Sequence, residues 1–222
     1  MGLEDYKELV ATSAMICTMG HMLSGTLVCR SICKKGTSDE FDAKPFVGGI
    51  GMGIVMLQYA FILKDSVMIT VNIFGFITSI AYIAVFYAYA VNKNKILGLV
   101  GKTIGTAAIF LAYANFEHPD NVEFRFGLLT TVLLFLLISS PLMNLGQVIR
   151  TKSTDVLPFP LIAMGTVVSS QWLLYGIIVN NTFIIFQNAV GFMLHIAQLS
   201  LFVIFPSKPA AITSKANARK KD

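Results

Sequence analysis

The sequence predicts an all-α membrane protein with seven transmembrane helices, built as two parallel three-helix repeats joined by a linker helix. Three observations predict this fold class: the composition, the spacing of long apolar runs and an internal repeat. Apolar residues make up 55% of the chain, charged residues 13%, and the mean hydropathy is +0.70. Soluble domains hold about 45–50% apolar residues. The composition therefore places most of the chain in a bilayer.

Seven apolar runs are long enough to cross a bilayer, whose hydrocarbon core of roughly 30 Å needs about 20 residues per helix. They lie at residues 8–29, 45–63, 66–91, 96–116, 126–149, 158–179 and 182–205. We expect the first run to be a retained helix, because Glu4, Asp5 and Glu8 stand where a cleaved signal would carry basic residues.

The second half of the chain repeats features of the first half. The stretches "TVNIFGFI" (70–77) and "FQNAVGFM" (186–193) each place an asparagine before Gly-Phe, and Asn72 and Asn188 lie 116 positions apart. Each unit has three helices, so the single helix between the units returns the second one to the orientation of the first. The predicted domains are a first repeat at 8–91, a linker helix at 96–116, a second repeat at 126–206 and a basic tail at 207–222.

The distribution of Lys and Arg predicts the orientation, because cytoplasmic loops are enriched in basic residues. With the N-terminus outside, Lys7, Lys64 and Arg125 face outward and every other Lys and Arg faces the cytoplasm. We therefore expect an extracytoplasmic N-terminus, a cytoplasmic C-terminus and residence in the plasma membrane, with Golgi or endosomal membranes as alternatives. Contact with anionic membrane lipid explains the net charge of +5, so nucleic-acid binding is not expected.

The spans contain no arrangement of residues typical of catalysis. No nucleophile–base pair and no metal-ligand spacing is present in them, so the sequence predicts neither an enzyme nor a metal or cofactor site. A homo-oligomer is compatible with the sequence, which does not fix the oligomeric state.

Asn72 and Asn188 are the leading candidates for binding residues. A buried amide can simply join helices, through hydrogen bonds of about 0.6–2 kcal/mol. Equivalent amides in two pseudo-symmetric bundles would, however, face each other near the middle of the membrane. An amide donates and accepts hydrogen bonds without a net charge, which suits neutral hydroxyl groups. We therefore predict that the two asparagines bind a small neutral solute.

Several stretches resemble the SWEET family of sugar transporters, which is related to the PQ-loop proteins. They are "SSPLMNLGQVIRTKSTDVLPFPLI", "QWLLYG" and "NNTFIIFQNAVGFMLHIAQLSLFVIFP", and the resemblance extends over about residues 8–206. It implies passive, bidirectional transport of a mono- or disaccharide by alternating access, through a central cavity between two three-helix bundles.

The resemblance also implies roles for individual residues. In this family the positions of Asn72 and Asn188 contact the sugar. Trp172 matches a pocket tryptophan that would stack on a sugar face, and Met56 is its first-repeat equivalent. The same resemblance places four more residues in the cavity wall: Met52, Val168, His21 and Leu137. We interpret His21 as a neutral hydrogen-bonding residue, because a single histidine without an intramembrane carboxylate is a poor proton relay.

Prolines near the predicted cytoplasmic ends form a second candidate set. A proline inside a helix removes a backbone hydrogen bond and weakens the helix locally, so matched prolines can act as hinges of an inner gate. The family's proline set matches Pro45, Pro141 and Pro158, with Gly25 in the fourth position. On the outer side, Tyr59 and Asn181 match positions that close the extracellular gate in relatives.

Two other functions remain open to the sequence alone. A seven-helix receptor would not need the three-helix repeat. A proton-coupled PQ-loop carrier of another polar solute would require acidic residues within the spans, where Asp65 is the only one nearby and lies at an outer edge.

The orientation makes a direct prediction. An epitope tag at the N-terminus should be accessible to antibody in intact cells, and a tag at the C-terminus only after permeabilisation, because of the distribution of basic residues. Immunofluorescence on the two tagged proteins checks this. The reverse pattern would contradict both the topology and the cytoplasmic assignment of the prolines.

Overall fold

A computed structural model describes residues 2–205, apart from the side chains of Leu3 and residues 138–144. The basic tail predicted at 207–222 lies outside the described residues. After a short 3₁₀ helix at Leu3–Tyr6, the described chain forms α1 (Lys7–Met22), α2 (Gly25–Lys35), α3 (Lys44–Leu63), α4 (Ser66–Ala88), α5 (Lys93–Phe116), α6 (Pro119–Thr151), α7 (Phe159–Ile178) and α8 (Thr182–Ile204).

The prediction of an all-helical membrane protein is confirmed. Five of the described helices are long and apolar enough to cross a membrane, namely α3, α4, α5, α7 and α8. The fifth predicted span lies within α6, and the first is divided between α1 and α2. Seven membrane spans are therefore obtained when α1 and α2 together are counted as one span and α6 is counted as another.

The two halves of the chain pack in the same order. In the first half α4 contacts both α1 and α3, and in the second half α8 contacts both α6 and α7. Between the halves, α1 packs against α7 and α3 packs against α6. These two contacts are equivalent under the repeat, since α1 corresponds to α6 and α3 to α7. The linker helix α5 packs mainly on α3.

Backbone conformation follows the same repeat. Lys64 and Asn180 have φ angles of 54° and 53°, and Gly36 and Lys152 have φ angles of 73° and 53°. Both pairs are 116 positions apart, at the C-terminal ends of equivalent helices. A left-handed residue at this place satisfies the last carbonyl groups of a helix. Each repeat therefore ends two of its helices with the same turn.

Side-chain caps begin the third helix of each repeat. The Asp65 carboxylate accepts hydrogen bonds from the amides of Val67 and Met68 at 2.9 and 3.0 Å, at the start of α4. At the start of α8, Asn181 Oδ1 accepts from the Ile184 amide at 3.0 Å. Such caps satisfy amides that have no partner within the helix.

Two equivalent hydroxyl groups hold the loops at the other membrane face. Ser38 Oγ donates to the Phe86 carbonyl at 2.9 Å, and Thr154 Oγ1 donates to the Phe205 carbonyl at 3.0 Å. Both hydroxyl residues are buried. Each therefore ties the loop after the first helix of a repeat to the end of the third.

The first predicted span is not one continuous helix. The amides of Thr26 and Leu27 bond to the carbonyls of Leu23 and Ser24, one residue nearer than in an α-helix. The helix is interrupted at Leu23 and Ser24, whereas α6 continues through the equivalent positions. The interruption is a departure from the repeat.

Candidate substrate cavity

A cavity of about 520 Å³ lies mainly within the first repeat. It extends from Asn72 in α4 to Pro45 at the start of α3, with Leu161 of α7 on its far wall. Its wall brings together several predicted site residues: His21, Gly25, Pro45, Met52, Met56 and Asn72. The cavity therefore reaches toward the end of the bundle that the sequence places in the cytoplasm.

One face of α4 forms the polar wall of the cavity. Asn72, Gly75 and Ser79 all line it, at a spacing that puts them on one side of a helix. The repeat places Asn188, Gly191 and His195 on the same face of α8. The second repeat therefore presents an equivalent but chemically different face.

Both asparagine amides bond within their own helices. Asn72 Nδ2 donates to the Met68 carbonyl at 2.8 Å, and Asn188 Nδ2 donates to the Ile184 carbonyl at 2.9 Å. Among the residues that the structure describes, neither amide makes a hydrogen bond to another helix. Each half-buried amide thus keeps one N–H and its carbonyl oxygen for a ligand.

Trp172 connects the two repeats. Its Nε1 donates to Thr18 Oγ1 of α1 at 2.8 Å, and its ring meets Tyr175 edge-on at a centroid distance of 5.5 Å. Trp172 and Met56 pack against the same apolar cluster, which includes Val55. The indole N–H is therefore occupied in this conformation, and its apolar ring is the part that remains for stacking.

The structure does not bring every predicted residue into the cavity of the first repeat. Asn188, Trp172 and Val168 are half-buried and lie outside its lining. Leu137 lines a separate apolar cavity of about 290 Å³ between α3, α5 and α6, which shares Met52 with the first. The second-repeat residues therefore form no common cavity with Asn72 in this conformation.

Sequence analysis missed His195, and its treatment of His21 as a lone intramembrane histidine is wrong. His195 lies in α8, with Nδ1 3.3 Å from Ser169 Oγ. A Cβ atom at Gly165 would lie 2.8 Å from the imidazole ring, so a glycine is needed beneath it. The sequence feature that could have revealed His195 is its place within the last apolar run, at 182–205.

A hydrogen-bonded pair that the sequence did not single out lies at the end of the bundle opposite Pro45. Tyr175 Oη donates to Asp65 Oδ2 at 2.7 Å, joining α7 to the start of α4. The predicted pair is the one related to it by the repeat: Tyr59 is fully buried, and its hydroxyl group lies near Asn181 without a close hydrogen bond to it. The carboxylate of Asp65 is the stronger acceptor, because it is charged.

The hinge argument does not apply to two of the prolines. Pro45 lies in the first turn of α3 and Pro158 is the N-cap of α7. A proline at such positions removes no helical hydrogen bond, since those amides have no partner within the helix. Pro141 lies inside α6, and its side chain is outside the described residues.

A family model described as "Sugar efflux transporter for intercellular exchange" matches residues 8–94 and again residues 124–210. The two matches together cover most of the chain.

The chain belongs to the SWEET sugar transporter family.

Relatives and a solved structure agree with this assignment. The chain is 31% identical to "Sugar transporter SWEET1" of Drosophila pseudoobscura pseudoobscura, over 90% of both chains. It is 31% identical to "Sugar transporter SWEET1" of Caenorhabditis elegans, over 92% of this chain and 67% of that protein. The solved structure of a eukaryotic SWEET transporter superimposes with a TM-score of 0.82 at 26% identity, covering 93% of this chain and 99% of that one.

Membership of the SWEET family confirms two predictions. The family consists of membrane transporters and not of enzymes, and its solved member has the fold of this chain. The chain is therefore a multi-pass membrane protein.

The asparagine amides generate the first prediction about the site. Asn72→Ala and Asn188→Ala should each strongly reduce sugar flux while surface abundance stays near wild type, because neither amide holds a neighbouring helix. Trp172→Ala should also reduce flux per molecule, with some loss of surface abundance because Trp172 bonds to Thr18 of α1. Met56→Ala should act more mildly, since a thioether contact is replaceable. Tracer flux divided by surface abundance checks this.

Asn94→Ala is the matched control, because Asn94 is exposed in the first turn of α5. It should leave flux unchanged. Asparagine variants that reach the surface poorly but transport normally per molecule would show that the amides are structural.

The hydrogen bond between Tyr175 and Asp65 generates a second prediction. Tyr175→Phe should lower the sugar concentration that half-saturates uptake from outside, by about tenfold, because losing a charged hydrogen bond favours the outward-open state. Tyr113→Phe is the control, since it removes another tyrosine–carboxylate bond, to Glu117 at 2.6 Å in the linker region. Equal half-saturation in both variants would contradict a gating role for Tyr175.

Proposed function

We propose that this chain is a passive, bidirectional uniporter that moves a neutral mono- or disaccharide across a membrane by alternating access. Family membership supports sugar as the substrate class. Among the relatives, a protein of Arabidopsis thaliana that is 29% identical is named "Bidirectional sugar transporter SWEET10".

The chemistry of the cavity wall carries this proposal. The described residues that line the cavity include no Asp, Glu, Lys or Arg, while Asn72, Ser79 and Thr78 offer uncharged hydrogen-bonding groups. An uncharged polar wall suits a neutral hydroxylated solute and gives little affinity for an ion. The absence of a carboxylate there also favours passive transport over a proton-coupled carrier.

The shape of the cavity supports alternating access. Its wall reaches the start of α3 at Pro45, while the opposite end of the bundle is held by Tyr175 and Asp65. This combination is what an inward-facing state would have. Under the proposal, the second-repeat residues Asn188, Trp172 and Val168 join the site when the bundles rearrange around the sugar.

The surroundings of the transporter follow from the charge distribution. We propose that the N-terminus is extracytoplasmic, that the C-terminus is cytoplasmic and that the plasma membrane is the site of action. The basic cytoplasmic loops would contact anionic lipid. Self-association into a homo-oligomer is compatible with this arrangement.

Purified protein in liposomes tests the function. A panel of radiolabelled sugars should equilibrate across the membrane, at a rate that saturates with concentration, and should not accumulate when a proton gradient is imposed. Liposomes without protein and liposomes with Asn72→Ala are the controls. Accumulation that follows the proton gradient would establish the coupled carrier instead, and a lack of flux for every sugar would overturn the proposal.

A further inference from the structure

The interruption between α1 and α2 has a side-chain partner. The Thr26 amide donates its hydrogen bond to the Leu23 carbonyl. The Met22 carbonyl instead accepts a hydrogen bond from Tyr82 Oη, at 3.0 Å. Met22 would be the acceptor for Thr26 in a regular α-helix. A hydroxyl from α4 therefore replaces the backbone hydrogen bond that the interruption gives up.

Gly25 is the residue that lets Tyr82 approach. A Cβ atom at position 25 would lie 2.5 Å from Tyr82 Cε2 and 2.9 Å from Phe46 Cε1, both too close for any side chain. Gly25 is buried, and Tyr82 is 8% exposed. The tyrosine ring thus occupies the volume that a proline at position 25 would need.

Tyr82 also reaches the start of α3. Its ring meets the Phe46 ring edge-on, at a centroid distance of 5.6 Å and an interplanar angle of 79°. Phe46 follows Pro45, and all four of Gly25, Pro45, Phe46 and Tyr82 line the cavity near its predicted cytoplasmic end. One side chain therefore contacts both helix segments that border this end.

We propose that Tyr82 is a positioning residue of the inner gate, which holds the α1–α2 interruption through its hydroxyl and couples it to α3 through its ring. This rests on the proposed transport function. The second repeat lacks this pair of residues. It has Pro141 at the position equivalent to Gly25 and a buried glutamine, Gln198, at the position equivalent to Tyr82. The first repeat thus has glycine and tyrosine where the second has proline and glutamine.

Tyr82→Phe is the central test, because it removes the hydroxyl and keeps the ring. Losing one hydrogen bond of about 0.5–1.5 kcal/mol should change net sugar efflux relative to equilibrium exchange by about 2- to 10-fold. Net efflux requires the empty transporter to reorient, whereas exchange does not. Sugar affinity should stay near wild type, and hydrogen exchange should rise in peptides covering residues 20–30 but not in α8.

Tyr87→Phe is the matched control, since Tyr87 lies on the same helix with its ring beneath the Lys93 ammonium group. It should match wild type in both readouts. The proposal is overturned if Tyr82→Phe behaves like this control, or if net efflux and exchange fall in equal proportion, which would indicate only lost stability. If wild-type protein carries no sugar, the proposed function fails, and the hydrogen-exchange comparison alone decides whether Tyr82 holds the interruption.

A double-variant cycle tests whether Gly25 is needed to make room for the Tyr82 ring. Gly25→Ala alone should reduce net efflux strongly, because its methyl group collides with the Tyr82 ring. In a Tyr82→Ala background the same change should have a much smaller further effect, since the closest contact is then removed and only the Phe46 ring still borders the methyl group. Additive losses would show that Gly25 and Tyr82 act separately and would overturn the coupling.

Discussion

The bilayer requires every backbone polar group to find a partner inside the protein, and the rest of this structure depends on that constraint. Long helices satisfy it along their length, so the difficult places are the ends and the interruptions. Asp65 and Asn181 provide partners for the first amides of α4 and α8, and Ser38 and Thr154 provide donors for carbonyls at the opposite face. The α1–α2 interruption is a further such place, where Tyr82 donates a hydrogen bond to the Met22 carbonyl.

Duplication gives the two repeats one backbone plan, and single substitutions then give them different chemistry. The glycines at 49 and 165 each make room for the facing side chain of the third helix, which is Ser79 in the first repeat and His195 in the second. The outer carboxylate is likewise present only in the first repeat, where Asp65 corresponds to Asn181. Such differences give the two repeats unlike polar groups at equivalent positions.

Composition and the internal repeat were sufficient to predict the fold, because both depend on properties summed over many residues. Asn72, Met52, Met56 and His21 line one cavity, and their contact with sugar stays a prediction. The interruption at Leu23 could not be predicted, because the tyrosine that bonds to the adjacent Met22 carbonyl lies 60 positions later in the chain than Met22. The Tyr175–Asp65 bond was missed for a related reason: sequence shows which residues are equivalent, but not which of the two pairs related by the repeat forms a close hydrogen bond.

Asp65 performs two tasks with one carboxylate: it caps α4 and joins the start of that helix to Tyr175 of α7. Its Oδ1 accepts the two amides at the start of α4, while Oδ2 accepts only the Tyr175 hydroxyl. Releasing the tyrosine would leave the helix cap intact and would cost a single charged hydrogen bond, about 1.5–3 kcal/mol. That corresponds to a population ratio of about ten- to a hundredfold between closed and open outer ends. Thermal energy alone can populate both states at such a ratio, as the proposed passive transport requires.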